Sequence, residues 1–420
     1  MADVNRRLET FLNQHLPQCV EKVEQISGGL VNYTFRLHLK NELSSLTTNE
    51  LNGNNLLTII YRVRPRSMIV KIAYPYMAAF DGPYKIPLER QATETRVLQM
   101  FHNTSAPTND TKLESIDLSA VLYRNNTIRV GRVWFFSEVD HILVMEDLGP
   151  LPHMTQWMTY DNQVTLATST PILARTYGEQ LGNFILDIQV FSSHHTNEID
   201  LSLYDPEVKS LHWKYIPSTL KNVCDIHGLP DADELVSILN RYCEHDLLRP
   251  AMDCQVLSHS DLWVGNILVD EDNQKLVIID WEYAALRSPA FDLTLFLARS
   301  LVHEETDPLY QPMINFTAGF IKAYRNGARK REVSWYKNEC ERYLFAWALG
   351  ISYAAQLIDW LSFQKCCPSD DERCCHRRAV VEKAANYLRR CHLGPVKDTY
   401  EFIFHDQVLG KLFQVEDDEI

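Results

Sequence analysis

The sequence predicts an α+β protein of two lobes, a small first lobe rich in β-strands and a large helical second lobe. Alternating polar and apolar residues in the first third of the chain indicate strands, whereas helical spacing dominates later segments. The pair Gly149-Pro150, which strongly disfavours regular secondary structure, lies between the strand-rich and the helical parts of the chain. A chain of 420 residues is also long enough for two packed units. We therefore place the first lobe at residues 1–148 and the second at residues 149–420.

The first lobe is predicted to open with a β-hairpin. Residues 33–39 alternate between the two faces of a strand, and a pair of glycines before them supplies a turn. A polar stretch at about 41–55, rich in Asn, Ser and Thr, is typical of an inserted surface loop. The other predicted elements are a strand at 68–72, a helix at about 88–101, and strands at about 130–138 and 142–145.

The second lobe is predicted to be mostly helical. Residues 170–191 carry apolar side chains at helical spacing, and helices dominate from about residue 211 onward. One hairpin interrupts them, with apolar strands on either side of a polar turn at 270–274. The apolar run 344–363 is long enough to raise the question of a membrane span. Because this run contains Gln356 and Asp359, we predict a buried helix instead.

Composition and charge exclude some classes of partner. The formal net charge is -14 and the isoelectric point is near 5.5, which argues against broad binding to the phosphate backbone of nucleic acids. The first residues lack the apolar core of a signal peptide, so we expect a cytoplasmic protein without a membrane partner. The oligomeric state stays open.

A cluster of cysteines suggests one alternative function. Cys366, Cys367, Cys374, Cys375 and His376 lie close in sequence, and thiolate and imidazole ligands can form a tetrahedral zinc site. Adjacent cysteine pairs do not have the spacing of most zinc loops. We therefore favour reduced thiols, as expected in a cytosolic protein, and keep a zinc- or redox-regulated binding protein as an alternative.

The strongest chemical signal lies between His259 and Asp280. Asp261 stands five residues before Asn266, and an apolar strand follows, which is the pattern of a phosphoryl-transfer catalytic loop. In that reaction one carboxylate orients the acceptor hydroxyl, while an amide oxygen nearby coordinates magnesium. A second strand ends at Asp280, and pairing of the two strands brings Asp280 toward Asn266. We predict Asp261 as the catalytic residue and Asn266 with Asp280 as magnesium ligands. His259 is expected to hold the loop.

Lys71 is the predicted phosphate-binding residue of the first lobe. It lies within an otherwise apolar strand, where an ammonium is costly unless it is paired. Its expected partners are nucleotide phosphates and a carboxylate of the following helix, for which we favour Glu94 over Glu89. The alternative is an edge-strand lysine whose head reaches water.

Two further segments are expected to contact the nucleotide. The hairpin turn carries Ser27, Gly28 and Gly29 at the place of a phosphate-covering loop, although an ordinary turn is almost as good an interpretation. The end of the last first-lobe strand carries Met145, Glu146 and Leu148, whose backbone and apolar neighbours are expected to hold an adenine.

These motifs resemble the aminoglycoside phosphotransferase and choline kinase-like family, within the protein-kinase-like fold. The resemblance rests on His259-Ser260-Asp261, Asn266-Ile267-Leu268, Ile279-Asp280-Trp281-Glu282 and Pro289-Ala290-Phe291-Asp292-Leu293, and it covers about residues 21–297. It implies that Asp261 is the base, that Asn266 and Asp280 bind Mg²⁺, and that Lys71 binds the phosphates of ATP. It also implies that Asp292 supports the loop.

The resemblance has one local departure, because Ser260 stands where glycine is usual. If that position needs a positive φ, serine adds strain. The departure favours, to a small degree, the alternative of a catalytically impaired kinase-fold scaffold. The intact Lys71, Asp261, Asn266 and Asp280 argue against it.

The acceptor is predicted to be a small molecule with a hydroxyl group. Asp292 follows Asp280 closely, which leaves little room for the long segment with which protein kinases bind peptides. An amino alcohol, a sugar and an aminoglycoside-like compound all fit the sequence. Candidate pocket walls are aromatic residues and one carboxylate, although at helical spacing such residues are more often core: Tyr343, Trp347, Tyr353, Asp359 and Trp360.

Overall fold

The structure is a computed structural model, and it describes residues 2–26, 31–40, 55–76, 85–102, 117–164, 170–195, 199, 206–248, 255–300, 310–362 and 372–414. The chain forms two compact units. The first comprises Met1–Asp117 and Val130–Leu151, and the second comprises Leu118–Arg129 and Pro152–Ile420.

The first unit is built on an antiparallel sheet. Its elements are α1 (Ala2–His15), β1 (Val20–Ile26), β2 (Tyr33–Leu39), α2 (Asn55–Val63), β3 (Ser67–Ile72) and α3 (Arg90–His102). The chain then passes through α4 (Ser119–Arg124) and β4 (Ile128–Val130), most of which group with the second unit, before β5 (Val133–Ser137) and β6 (Ile142–Glu146) complete the sheet. The described strands pair in the order β1-β2-β3-β6-β5. This arrangement places β3, which carries Lys71, at the centre of the sheet.

The alternating pattern of β2 explains which side of the sheet is covered. Phe35, Leu37 and Leu39 are buried, and they join a core formed with α1, α2 and β3. Burial of such apolar side chains contributes on the order of 25 cal/mol per Å² of surface removed from water. The predicted hairpin of β1 and β2 is confirmed, whereas helix α2 was not predicted.

The second unit is mostly helical. Its described elements are α5 (Met154–Val164), α6 (Thr170–His194), α7 (Pro206–His227), α8 (Ala232–Leu248), β7 (Val256–Ser258), β8 (Ile267–Asp270), β9 (Lys275–Ile278), β10 (Ala285–Arg287), α9 (Ala290–Ser300), α10 (Tyr310–Lys330), α11 (Ser334–Lys337), α12 (Glu339–Ser362), α13 (Glu372–Arg390) and α14 (Lys397–Phe404). The predicted α+β architecture, with a small β-rich unit and a large helical unit, is therefore confirmed.

Two short strands of the second unit correct the prediction of a single hairpin. The predicted hairpin is present as the antiparallel pair β8 and β9, with Ile267 opposite Ile278. A second antiparallel pair is formed by β7 and β10, with Ser258 opposite Ala285. Strands of three residues are too short for a period of two to be recognised in the sequence. The loop that contains Asp261 lies between β7 of one pair and β8 of the other.

The segment Leu118–Arg129 groups with the second unit, although the sequence placed residues 1–148 in one lobe. The Asn125 amide donates a hydrogen bond to Asp187 of α6 at 2.6 Å. The backbone N–H of Leu276 on β9 donates to the carbonyl of Thr127 at 2.9 Å. These bonds tie the segment to α6 and to the β8–β9 hairpin.

Helix α12 is the one described helix that is long and apolar enough to cross a membrane. Within the span Glu339–Leu361, 83% of the 18-residue window that meets these criteria is buried inside the protein. Such burial is typical of the core helix of a globular unit, in agreement with the predicted buried helix.

Helices α6 and α10 pack closely because each helix places a glycine against the backbone of the other. A Cβ atom added to Gly178 would lie 1.9 Å from the carbonyl oxygen of Phe316, and one added to Gly319 would lie 2.1 Å from that of Arg175. Backbone atoms within helices cannot move aside without separating the helices. Glycine is therefore required at this crossing despite its low helix propensity.

We predict that Gly319→Ala lowers the melting temperature by about 4–8 °C, because overpacking of this kind costs roughly 2 kcal/mol. The matched control is Gly327→Ala on the same helix, where the nearest atom is the end of the Leu186 side chain at 2.5 Å. Thermal unfolding should show a shift less than half as large for the control. Equal shifts would show that the crossing imposes no such constraint.

Candidate active site

The loop between β7 and β8 is held by the carboxylate of Asp292. One oxygen accepts hydrogen bonds from the Ser258 hydroxyl at 2.7 Å and from the Ser260 N–H at 2.9 Å. The other oxygen accepts from the His259 N–H at 2.8 Å. Asp292 lies in the first turn of α9 and is buried. It therefore supports the loop from beneath, as the family resemblance implies.

His259 connects the loop to the end of β9. Its Nε2 donates to the carbonyl of Ile279 at 2.9 Å, while its Nδ1 accepts from the Asp261 N–H at 3.2 Å. Its ring also contacts Trp281, with centroids 4.5 Å apart. Burial lowers the pKa of His259, which favours the neutral ring that these two bonds require. These contacts are those of a structural histidine.

Ser260 adopts the conformation that the sequence analysis identified as a source of strain. Its φ is 64°, in the left-handed region that costs most residues about 1–3 kcal/mol. Its hydroxyl, however, accepts a hydrogen bond from Nε of Arg287 at 2.9 Å. Arg287 is fully buried and also donates to Asp246 of α8 at 2.7 Å. A bond from a charged donor contributes about 1.5–3 kcal/mol, so it offsets the strain.

Asp261 and Asn266 are joined directly. The Asn266 amide donates to the Asp261 carbonyl at 2.9 Å and to its Oδ2 at 2.8 Å. Burial raises the pKa of Asp261 to about 8, although Arg299 and the Asn266 bond act in the opposite direction. The nearby charges of Asp280 and Glu282 raise the pKa further. The surroundings therefore raise the proton affinity of this carboxyl above that of an ordinary aspartate, which is typical of functional sites.

Asp280 follows β9 in a left-handed conformation, with φ of 62° and ψ of 58°. The N–H of Ile279, the residue before Asp280, donates to the Asn266 carbonyl at 3.1 Å, so the backbone holds the two predicted metal ligands close together. The Asn266 Nδ2 bonds to Asp261, so the amide oxygen is the atom that suits a cation. One carboxylate and one amide oxygen fit Mg²⁺, which usually takes one or two carboxylates and completes its shell with phosphates and water.

Lys71 forms the ion pair that the sequence favoured. Its Nζ lies 2.7 Å from Oε1 of Glu94, and both side chains are buried in the first unit. Gln91, one turn earlier on α3, donates to the Lys71 carbonyl at 2.9 Å and so orients the helix on β3. Glu89 precedes the helix, and its carbonyl accepts from Thr93. The role of Lys71 toward a nucleotide stays a prediction.

The predicted adenine contacts lie at the end of β6. Met145 is buried, Glu146 is the last residue of the strand, and Leu148 is half-buried. The N–H of Glu146 donates to the Arg132 carbonyl at 2.8 Å, so this group is already bonded within the first unit. An adenine would therefore have to form hydrogen bonds with other backbone groups of this segment.

Arg36 binds the segment that follows β6, which the sequence analysis missed. Its guanidinium donates to both oxygens of Asp147 at 2.7 and 3.1 Å and to the Gly149 carbonyl at 3.2 Å. Burial acts to raise the pKa of Asp147, but the bonds from Arg36 and other donors hold it below its ordinary value. A bidentate pair of this kind fixes geometry as well as charge.

Arg299, at the end of α9, is another residue that the sequence analysis missed. Its Nη2 lies 2.5 Å from Oδ2 of Asp359, and its guanidinium carbon lies 6.0 Å from the ring centroid of Trp263. Its charge also acts on Asp261. The sequence signal that could have identified it is a single arginine in the last turn of an otherwise apolar helix that begins near Asp292.

The proposed pocket walls separate into two groups. Trp347 donates to the Cys391 carbonyl at 3.0 Å, and Tyr353 is buried beside Lys383, so both belong to the core between α12 and α13. Tyr343 bonds to Glu339 within its own helix. Asp359 forms an ion pair with Arg299, and Trp360 beside it is half-buried.

Three predicted features lie wholly or mostly outside the described residues, namely the hairpin turn, the polar stretch at about 41–55 and the cysteine cluster. Ser27, Gly28 and Gly29 are among them, as are Cys366 and Cys367. The other cysteines of that cluster lie at the start of α13, where the side chains are not described. Within the described part of the chain, no group of three or more His, Cys, Asp or Glu side chains could hold a metal ion.

Comparisons with known proteins agree with the geometry of the loop. Residues 142–333, just under half of the chain, match the model of the phosphotransferase enzyme family. The 4-hydroxytryptamine kinase of Psilocybe cubensis is 25% identical over 305 residues, covering 69% of this chain and 71% of that protein. A LicA homolog from Metamycoplasma hominis is 25% identical over 156 residues, 37% of this chain and 51% of that protein.

Solved structures show weaker similarity. An ADP-bound aminoglycoside phosphotransferase has a TM-score of 0.43 at 13% identity, covering 91% of this chain and 98% of its own. An ethanolamine kinase of Plasmodium vivax has a TM-score of 0.44 at 14% identity, covering 90% and 86%. The family match includes Asp261, Asn266, Asp280 and Asp292, the residues that form the loop described above. Residues 142–333 of this chain are therefore similar to the phosphotransferase enzyme family, and the loop described above lies within that match.

Proposed function

We propose that this protein is an ATP- and Mg²⁺-dependent kinase that transfers the γ-phosphate to a hydroxyl group of a small metabolite. The observation that carries the proposal is the direct bond between Asn266 and Asp261, with Asp280 in the same neighbourhood. This arrangement places Asp261, the proposed base, beside Asn266 and Asp280, the proposed Mg²⁺ ligands. It meets the two demands of phosphoryl transfer, positioning and charge stabilisation.

Each group has a defined task in this proposal. The Asp261 carboxylate accepts the hydrogen of the acceptor hydroxyl and directs its oxygen. Asn266 and Asp280 would hold Mg²⁺, which neutralises the charge that develops on the phosphates. Lys71 binds the phosphates, and Glu94 keeps its ammonium in position through the 2.7 Å ion pair. The backbone near Met145, Glu146 and Leu148 holds the adenine.

The acceptor is an amino alcohol, a sugar or an aminoglycoside-like compound. Between Asp280 and Asp292 the structure contains only a 3-10 turn, β10 and the start of α9. This short path supports a small acceptor over a peptide. Since the relative from Psilocybe cubensis is a kinase of 4-hydroxytryptamine, hydroxylated amines are the first class to test.

A catalytically impaired scaffold is the second candidate, favoured by Ser260 at a position with positive φ. The bond from Arg287 to the Ser260 hydroxyl supports an intact loop instead. We also place the protein in the cytoplasm, without a nucleic-acid or membrane partner, in keeping with its net charge of -14.

We expect ADP release from Mg²⁺-ATP to rise when one acceptor is supplied from a panel of 2-aminoethanol, choline, 4-hydroxytryptamine, pentoses and amino sugars. Asp261→Asn should reduce acceptor-dependent release by about 100-fold or more, because the hydroxyl loses its base. The matched control is Asp272→Asn in the exposed turn of the same hairpin, which should retain wild-type activity. Equal activity of the wild type and Asp261→Asn would remove the proposed role of this residue.

The raised pKa of Asp261 predicts a pH-dependent stability of the metal-free protein. An aspartate ionises near pH 4 when unfolded, whereas Asp261 ionises near pH 8 when folded. The folded state therefore binds one more proton between these values, and the free energy of unfolding falls as the pH rises from about 4 to about 8. The variant Asp261→Asn has no carboxyl to ionise, so it does not lose stability in this way as the pH rises. In the presence of a chelator it should melt at least about 2–4 °C above the wild type at pH 8, and the difference should shrink toward pH 4.

The control for this measurement is again Asp272→Asn, which should melt like the wild type throughout the pH range. A constant difference between Asp261→Asn and the wild type from pH 4 to pH 8 would contradict the raised pKa.

A further inference from the structure

Arg287 is a fully buried arginine whose three guanidinium nitrogens each bind a different part of the second unit. Nε donates to the Ser260 hydroxyl at 2.9 Å, Nη1 donates to the Asp246 carboxylate at 2.7 Å, and Nη2 donates to the Lys209 carbonyl at 2.7 Å. The guanidinium also lies over the ring of Phe291, with Cζ 4.2 Å from the ring centroid. Because a planar donor held in this way cannot turn without breaking bonds, its surroundings fix its position.

Helices α7 and α8 anchor one end of this network. The Asp246 carboxylate of α8 also accepts a hydrogen bond from Nε1 of Trp213 at 2.8 Å, and the Asp246 carbonyl accepts one from Nζ of Lys209 at 2.6 Å. Burial lowers the pKa of Lys209 to about 8, whereas a guanidinium stays charged at any pH near neutrality. Arg287 therefore supplies a permanent positive charge to the Asp246 carboxylate.

The other end of the network is the turn at Ser260. The Ser260 hydroxyl accepts from Arg287 and donates to the Ser258 hydroxyl at 3.3 Å. The Ser258 hydroxyl donates in turn to Asp292 at 2.7 Å. A continuous chain of hydrogen bonds therefore runs from helices α7 and α8, through Arg287, to the carboxylate that holds the catalytic loop.

The bond from Arg287 matters because Ser260 adopts a φ of 64°. Glycine occupies this region freely, whereas a residue with a Cβ atom is strained there. The Ser260 side chain is fully buried, and a charged donor binds its hydroxyl more strongly than a neutral donor would. The bond from Arg287 therefore keeps Ser260 in a conformation that serine disfavours.

Asp261 depends on this turn because it is the next residue in the chain. Its N–H donates to Nδ1 of His259 at 3.2 Å, and its carbonyl accepts from the Asn266 amide at 2.9 Å. A rotation about the backbone of Ser260 would break these bonds and displace the Asp261 carboxyl. Displacement of a reacting group by about 1 Å can lower a rate by about 100-fold.

We propose that Arg287 is a positioning residue that holds the Ser260 turn and so sets the place of the Asp261 carboxyl. This inference rests on the proposed kinase function. Arg287 touches neither acceptor nor nucleotide in this proposal and acts through Ser260. The fixed guanidinium provides what the conformational freedom of a glycine would provide at this position. The orientation of Asp261 is thereby coupled to the packing of α7 and α8.

The first test compares two substitutions of Ser260 that leave the pair of Arg287 and Asp246 intact. Ser260→Ala removes the hydroxyl but keeps a Cβ atom, whereas Ser260→Gly removes both the hydroxyl and the strain. With the acceptor that stimulates ADP release most strongly, kcat of Ser260→Ala should lie at least about 5-fold below that of Ser260→Gly, with KM for ATP equal within about 2-fold. Equal kcat values of the two variants would refute the proposal.

The second test is a double-mutant cycle with Arg287→Lys, in which the lysine keeps a positive charge for Asp246 but lacks the planar donors. This substitution should lower kcat at least about 10-fold in the wild type and less than about 3-fold in the Ser260→Gly background. The melting temperature should fall in both backgrounds, because the bond to the Lys209 carbonyl is lost in both.

The matched control for this cycle is Arg325→Lys. Arg325 is also a buried arginine of the second unit, but its guanidinium donates to Asn326 and to the Lys411 carbonyl. The control substitution should affect the melting temperature but leave kcat unchanged. If Arg287→Lys lowered kcat equally in both backgrounds, Arg287 would support only the fold and the proposal would be overturned.

Hydrogen–deuterium exchange tests the positioning role independently of catalysis. The N–H groups of His259 and Ser260 donate to Asp292. They should exchange at least about 10-fold faster in Arg287→Lys than in the wild type, because the loop opens more often. In the Ser260→Gly background the same substitution should not accelerate exchange.

These measurements separate the positioning role from the kinase proposal. If no acceptor stimulates ADP release, the kinase proposal fails and the exchange rates alone decide the role of Arg287. Faster exchange that Ser260→Gly prevents would then retain the positioning role. Exchange that is unchanged in Arg287→Lys, or equally accelerated in both backgrounds, would refute it.

Discussion

The carboxylate of Asp292 is the constraint on which the rest of the catalytic loop depends. It accepts bonds from Ser258, His259 and Ser260 within 2.9 Å, and these bonds fix the backbone immediately before Asp261. Ser260, with a φ of 64°, lies between these bonded groups and Asp261. A buried carboxylate that accepts several N–H and O–H bonds holds its donors strongly. The positions of Asn266 and Asp280 follow from the same loop and its hairpin.

Two arginines compensate for the strain and charge that this loop concentrates. Ser260 and Asp280 both adopt positive φ, and Asp261 is an acid kept out of water. Arg287 bonds to the Ser260 hydroxyl, whereas Arg299 brings positive charge toward Asp261. Each arginine is also paired with an aspartate of a surrounding helix. The helices of the second unit therefore stabilise a loop that would be unfavourable alone, as is common at functional sites.

Local patterns in the sequence predicted the elements but not the long-range partners. The β8–β9 hairpin, the buried Lys71 and the Asp261–Asn266 spacing carry signals within a few residues, and the structure contains all of them. The bond between Arg287 and Ser260 joins residues 27 positions apart, and the Arg299–Asp359 pair spans 60. The periodic pattern of apolar residues does not predict such contacts, because they form only when separate elements pack together. For the same reason the sequence grouped Trp347 and Tyr353 with Asp359, although packing places them in the core.

The most direct test of the central claim is the stabilisation of the protein by Mg²⁺-ATP, measured as a shift in melting temperature. The wild type and Asp272→Ala should both gain stability, by an amount that grows with ligand concentration, because the folded state alone binds the nucleotide. Asp280→Ala should lose most of this gain while melting normally without ligand, since the metal loses its carboxylate. A wild-type protein that Mg²⁺-ATP does not stabilise at all, or an Asp280→Ala variant that gains as much as the wild type, would contradict the account.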